Sequence, residues 1–259
     1  GLDFETKIVA KEKSAELLER ALSRPSWKPT SLACSGVTDC YQPIEKTLGI
    51  TRSCLEVLAD FRNPVGIITK NALVTRDIDL LGELASREAS LVALSITSLD
   101  SELSGKLEPR ASRPAARLEA LRKLSEAGIP VGVSVAPLIP GLNDHEIPAI
   151  LEAAADHGAT FASGTMIRLP HSVRDLFSHW LETHVPDQKE CVLGRIREIR
   201  GGSLNDTTFG SRMSGSGPLA QQIRSLMKIS KRRWGLDSSR KPLSIASFRR
   251  KLPGQGELF

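Results

Sequence analysis

The chain of 259 residues has no run approaching the roughly 18 apolar residues that cross a bilayer, so no membrane segment is expected. Its first residues, Gly-Leu-Asp-Phe-Glu-Thr-Lys, are mixed polar and do not read as a secretory leader. There is no initiator Met, which suggests a start inside a longer protein. Cysteine is scarce. Cys34, Cys40, Cys54 and Cys191 are too few and too scattered for a disulfide framework, and a reduced, cytoplasmic setting is expected. Their spacings, six, fourteen and then over a hundred, match no zinc or cluster motif. Cys54 lies in an apolar helical pattern with Leu55, Leu58 and Phe61 and reads as core, and Cys191 reads the same way. No strand is followed by a Gly-rich dinucleotide fingerprint. The five histidines, His145, His157, His171, His179 and His184, fall on or beside predicted helices, which disfavours acid–base barrel chemistry at strand ends.

What is present is a soluble globular composition, 40% apolar and 25% charged, at a length that suits one α/β barrel-like domain. Short buried runs predict strands at 31–34, 65–69, 91–97, 130–136 and 159–168. Between them, apolar residues at helical spacing predict helices at 11–22, 51–61, 75–87, 114–127 and 145–157. Strands of four to eight residues alternating with helices of ten to fifteen mark repeated βα units with parallel strands. Five units are fewer than the eight of a closed barrel, so an open or partial barrel, or an open sheet, is expected.

The first three strands end in polar residues. Ser35, Gly36, Thr38 and Asp39 follow the first, Lys70 and Asn71 close the second, and Ser95 and Thr97 lie late in the third. Parallel α/β proteins bind ligands at that carboxyl edge, so these residues are the candidates for a site.

Beyond residue 169 the strand pattern stops. Helices are expected near 171–183, 188–199 and 218–234, with a glycine-rich loop from Arg200 to Gly217. Residues 1–170 thus read as the core, 171–236 as a helical and Gly-rich C-terminal region, and 237–259 as a flexible basic tail. Charge is divided between these parts. Residues 195–251 hold fourteen Lys or Arg against three Asp or Glu, whereas residues 1–194 hold twenty-one against twenty-six. A basic C-terminal region suits phosphates or acidic partners.

The ordered set Ser-Gly-Val-Thr-Asp-Cys-Tyr-Gln-Pro-Ile-Glu, Ile-Thr-Lys-Asn, Leu-Ser-Ile-Thr, Leu-Glu-Pro-Arg, Ala-Gly-Ile-Pro-Val-Gly-Val and Ala-Pro-Leu-Ile-Pro-Gly-Leu-Asn-Asp resembles the radical S-adenosylmethionine superfamily, in its spore photoproduct lyase-like bacterial branch. The resemblance runs from Gly1 to about Leu236. It implies a partial, open TIM-type βα barrel lacking its first strand, with a helical basic C-terminal extension. It also implies S-adenosylmethionine and a [4Fe–4S] cluster in the intact family, where reductive cleavage of the sulfonium yields a 5′-deoxyadenosyl radical that takes hydrogen from the substrate.

By that resemblance Ser35, Gly36 and Thr38 would lie beside the cofactor, Lys70 would pair with its carboxylate or ribose, and Ser95 would bond the ribose. The backbone near Pro137 and Leu138 would face the adenine. Cys34, in an Ala-Cys pair, resembles the hydrogen-returning cysteine of the lyase; aligning through Thr38-Asp39 makes Cys40 the candidate instead. The family's Cys-x3-Cys-x2-Cys loop is absent from the sequence, so the chain reads as a truncated form, inactive by itself in radical chemistry. Gln255-Gly-Glu-Leu-Phe259 resembles the short peptide by which bacterial repair proteins dock on the sliding clamp. With the basic region before it, the alternative reading is a DNA- or clamp-associated binding protein.

Overall fold

A computed structural model of the protein describes residues 7–34, 38–208, 212–237 and 242–250. The described residues form five parallel strands, β1 (Leu32–Cys34), β2 (Val65–Thr69), β3 (Ser90–Ser95), β4 (Val131–Leu138) and β5 (Phe161–Met166). Their spatial order follows the chain, β1-β2-β3-β4-β5. Every strand pairs with the one before it, so each crossover steps the same way, as in a barrel that has not closed.

The crossovers are helical. α1 (Ser14–Ser23) precedes the sheet, and α2 (Glu45–Leu48) and α3 (Ile50–Phe61) join β1 to β2. A 3-10 turn at Ala72–Asp77 and α4 (Ile78–Ala85) lead to β3. α5 (Ser101–Leu107) and α6 (Pro114–Glu126) lead to β4, and α7 (Ile147–Asp156) leads to β5. α2 and α5 were not expected from the pattern. They are four and seven residues long, too short for an apolar repeat to show. α5 is started by Asp100, whose carboxylate accepts from the Glu102 and Leu103 amides.

The pleat divides the sheet into two faces. Val65, Ile67, Val92, Leu94, Val131, Val133 and Val135 are fully or almost fully buried and pack against the helices in the main core, with Leu55, Leu58, Phe61, Leu81, Leu121 and Leu151. Burying one such side chain stabilises by about 1.5–3 kcal/mol. The opposite, inner face carries Ala33, Gly66, Ala93, Gly132, Ser95, Ser134 and Ser163, together with the larger Leu91, Phe161 and Ile68, the last 42% exposed. Gly132 is required there, because a Cβ would lie 2.3 Å from the Phe161 ring.

α8 (Val173–His184) and α9 (Lys189–Ile199) form a second, smaller core. Phe177, Leu181, Val192 and Ile196 close over Ile139, Leu142, Ile167 and Leu169 from the segments after β4 and β5. Cys191 is exposed, against the expectation of a core residue, because α9 turns Val192 and Leu193 inward instead. α10 (Gly217–Arg233) lies against α7, α9 and β5, burying Ala220 and Ile223 in the main core. Among the described residues no helix is long and apolar enough to cross a membrane.

Part of the stretch beyond residue 237 is described. Residues 242–250 have no regular structure but are tied to the body. The Ser244 amide donates to Glu88 O, the Arg249 amide to Phe61 O, and Arg249 Nε to Asp60 O. Phe248 packs on Phe61 with ring centroids 6.4 Å apart, and Arg250 donates to Trp27 O. Residues 238–241 and 251–259, including Gln255 to Phe259, lie outside the described residues.

Candidate functional site at the carboxyl edge

The site begins with Asp39. Its Oδ1 accepts from the Tyr41 amide at 2.9 Å and from Thr69 Oγ1 at 2.7 Å; its Oδ2 accepts from the Lys70 amide at 2.8 Å. The end of β2 is thereby fixed by the loop after β1. Lys70 Nζ then meets Glu108 Oε1 at 3.0 Å. Glu108 follows α5 and is the centre of the network. Its Oε1 accepts from Thr97 Oγ1 at 2.6 Å, and its Oε2 from Arg117 at 2.6 Å. Arg117, only 1% exposed, also donates to Ser95 O at 2.8 Å and Ser112 O at 2.6 Å. Burial would raise the Glu108 carboxyl, but the charges of Lys70 and Arg117 and the two hydrogen bonds overcome it and hold the group below the usual carboxylate range.

The fourth strand is drawn in by Asn143, fully buried. Its Nδ2 donates to Thr97 O at 2.8 Å and Pro137 O at 2.9 Å, and its Oδ1 accepts from the Ile139 amide at 2.7 Å. β1 to β4 thus present one connected polar edge. Beside it Thr38, Asp39, Tyr41, Lys70, Glu108 and Arg110 line a cleft of about 360 Å³. Next to that edge the register aligns Ser95, Ser134 and Ser163 across β3, β4 and β5. These form a row of hydroxyl-bearing positions on the inner face, flanked by Ala93 and Gly132. A hydroxyl row bordered by Ala93, Gly132 and the Phe161 ring can bond hydroxyls and pack a flat apolar face, as a nucleoside offers.

The candidate residues divide as follows. Thr38 and Lys70 share the cleft, and Ser95 is joined to Lys70 through Arg117 and Glu108. The Pro137 carbonyl is taken by Asn143, and the Leu138 carbonyl accepts from the Ile167 amide. Ser35 and Gly36 lie outside the described residues. Cys34 is registered with Ile67, on the face turned to the helices, and packs against the main core. Cys40 packs there too, its Sγ 3.6 Å from Cys34 O. Burial pushes both thiols up. The structure brings neither cysteine to the serine row.

The thiols do not fit an iron–sulfur cluster. Cys34, Cys40 and Cys54 are half-buried, with burial pushing Cys54 up to about 11. Among the described residues no group of three or more His, Cys, Asp or Glu could hold a metal ion. A cluster needs several thiolates at one place.

Other residues of the first motif prove to be fastenings. Tyr41 is fully buried and donates to Asp77 at 3.0 Å, where Arg52 and Arg76 also converge. Glu45 Oε1 accepts from the Thr51 amide at the start of α3 and from Arg76 at 2.8 Å. Sequence reasoning gave no role to Glu108, Arg117 or Asn143, and placed Asp39 at the edge without a partner. The signals available were the Leu-Glu-Pro-Arg motif and the acidic residue beside Thr38.

With this geometry in hand, the comparison with known families is decisive. Residues 8–154 match the model of the radical SAM superfamily. The chain belongs to the radical SAM superfamily. An uncharacterized protein of Mycobacterium tuberculosis is 33% identical over 201 residues, 77% of this chain and 58% of its own length. An uncharacterized protein of Methanocaldococcus jannaschii is 33% identical over 158 residues, 61% of this chain and 58% of that one. The chain therefore spans less than two thirds of these relatives. Among solved structures, spore photoproduct lyase complexed with dinucleoside spore photoproduct superposes with a TM-score of 0.60 at 16% identity, covering 85% of this chain and 62% of that one. A double mutant of the lyase with bound AdoMet and the dinucleoside photoproduct gives 0.52 at 15% identity, with coverage of 85% and 62%. At such identities the likeness is one of fold: an α/β structure with a parallel sheet that fits a partial, open TIM-type barrel.

Proposed function

We propose that this chain is the nucleoside-holding part of a radical SAM enzyme of the DNA-photoproduct-repair kind. The observation that carries the reading is one connected edge, in which Asp39 holds Thr69 and the Lys70 amide, Glu108 receives Lys70, Thr97 and Arg117, and Arg117 reaches the Ser95 carbonyl, beside a row of three inward serines in a chain of this superfamily. In it, Ser95 and the hydroxyl row would hold the ribose of S-adenosylmethionine. Lys70, held by Glu108, gives the cation at the amino-acid end. Thr38 closes the flank, and the Pro137–Leu138 segment borders the base. Glu108 and Arg117 position Lys70 and the Ser95 strand end without touching the ligand. When bound and given one electron by an iron–sulfur centre that this chain alone does not hold, S-adenosylmethionine would supply the superfamily's carbon radical, with methionine as the leaving group. Residues 1–259 alone do not assemble the cluster in this reading and are inactive in that chemistry, since the Cys-x3-Cys-x2-Cys loop is absent from the sequence and no metal-holding group is found among the described residues. Cys34, or Cys40 in the alternative alignment, serves as hydrogen donor only if the strand turns it inward. The free thiols suit a reducing, cytoplasmic compartment.

The test is calorimetric titration of S-adenosylmethionine into this chain without iron. Binding near 0.1 mM, roughly −5 kcal/mol, is expected, with loss of about tenfold in Ser95→Val. Equal affinity in wild type and variant would remove the assignment. A second reading, a DNA- or clamp-associated binding protein, is favoured by the basic turn of Lys231, Arg232 and Arg233 that ends α10. In that reading DNA contacts the basic region and Gln255 to Phe259 docks on the sliding clamp. Binding of the clamp by a peptide of the last fifteen residues tests the docking; no binding excludes it.

A further inference from the structure

The amino-terminal end of the sheet carries an unusual surplus of donors. Arg62 caps α3 in the left-handed region at φ 53°, just before β2; Arg87 lies just before β3; and the tail brings Arg249 and Arg250 to the same end. Arg249 is held there by Phe61 O and Asp60 O, Arg250 by Trp27 O. The Nε atoms of Arg62, Arg87 and Arg250 and Nε1 of Trp27 are buried with no hydrogen-bond partner; against these four donors stands one unpartnered acceptor, Asn63 Oδ1. Arg62 is pushed below its ordinary value by burial, then by the charges of Arg87 and Arg249. Glu83, half-exposed and 3.9 Å from Arg87, is a carboxylate whose charge acts against this lowering at Arg62.

Water could bond these donors but would not relieve the repulsion between guanidiniums. A tetrahedral oxyanion does both, because its oxygens match the planar fork of Arg and its charge offsets the crowding. We propose that Arg62, Arg87 and Arg249 form a phosphate-binding site at the amino-terminal end of the sheet, flanked by Arg250 and Trp27, for the phosphate of a polynucleotide backbone or for the free anion. The five residues of β2 put it about 17 Å from Lys70, so it is separate from the carboxyl-edge site and independent of its reading. The tail completes it, which gives residues 242–250 a purpose beyond covering Phe61.

The experiment compares the intact chain in inorganic phosphate and in chloride at matched ionic strength, and then with a single-stranded oligonucleotide. Nitrogen-15 spectra of the arginine Nε–H groups give the direct readout. Phosphate is expected to shift Arg62 and Arg87 and raise the melting temperature. In the double variant Arg62→Asn/Arg87→Gln, affinity is expected to fall about tenfold per guanidinium removed. Asn tolerates the left-handed backbone at position 62. Arg122→Gln, on the exposed face of α6, should change neither. Oligonucleotide binding that falls with salt and is lost in the double variant, without an effect of inorganic phosphate, supports the site with the polymer as its ligand. Wild-type Arg62 and Arg87 resonances unmoved by both probes would overturn the proposal, whether or not the variant folds.

Discussion

At the carboxyl edge of the sheet, Glu108 receives Lys70, Arg117 and the Thr97 hydroxyl, and Asp39 ties the loop after β1 to the end of β2. At the amino edge, guanidiniums crowd together against the half-exposed Glu83, with three Nε atoms unpartnered. Both ends are rich in arginine. One has settled its charges within the protein, which fixes geometry; the other has left them to be settled by something else. Internal pairing is what a site needs when it must hold in one pose a nucleoside that carries charges of both signs. Uncompensated charge is what an anion site needs.

That contrast is open to test. Removing Glu108 should have the largest effect. Glu108→Ala strands Arg117 in the core, and urea unfolding should show a loss of about 3–5 kcal/mol, as for other broken buried pairs. Glu83→Ala, at the other end, should change stability by less than about 1 kcal/mol, as exposed pairs do. Equal costs would erase the distinction. Next is Asp39→Ala. It leaves the Lys70 amide and the Thr69 hydroxyl without their acceptor and should cost about 1–3 kcal/mol in the same assay.

Acid unfolding sharpens the comparison further. The folded carboxyl of Glu108 sits below its ordinary value of 4.5, because Lys70, Arg117 and Thr97 outweigh burial. The stability it contributes is therefore present above that value and is lost as pH falls through the folded one. A pH titration of unfolding free energy should show a shallower acid limb in Glu108→Gln. Asp77 behaves in the same sense: burial opposes ionisation, and Arg76, Arg52 and Tyr41 prevail. Smaller still is Phe248→Ala. Loss of its packing on Phe61 should cost about 1 kcal/mol and speed amide exchange at residues 244–250, leaving the carboxyl edge unchanged. Least disruptive is alkylation of native protein. Cys191, which is exposed, should react first, and Cys34 and Cys40, whose thiols burial pushes up, last.

The sheet was legible because buried runs such as Val-Gly-Ile-Ile-Thr and Leu-Val-Ala-Leu-Ser are short and bounded, and helical spacing fills the gaps between them. Pro114 at the start of α6 and Gly128 just past its end marked their helix well. α2 and α5 were hidden by their length. The site was half legible. Thr38, Lys70 and Ser95 stand out in the sequence by their place at strand ends, and the structure sets Thr38 and Lys70 on one cleft. Glu108 and Arg117 were not, since their meaning lies in each other and in Lys70, brought together by the β2–β3–β4 crossovers. The facing of Cys34 was unreadable for a different reason. Moving a strand's register by one residue turns every side chain over, and a three-residue strand has no alternation to fix it. The amino-edge arginines were counted within a charge balance that cannot say which of them converge.

The most direct measurement is hydrogen–deuterium exchange of this chain with and without S-adenosylhomocysteine, the stable analogue of the cofactor. The account predicts slowed exchange at residues 69–71, 95–98 and 134–139, with residues 60–64, 86–90 and 244–250 unaffected. Protection confined to the amino end, or none anywhere at saturating ligand, would contradict it.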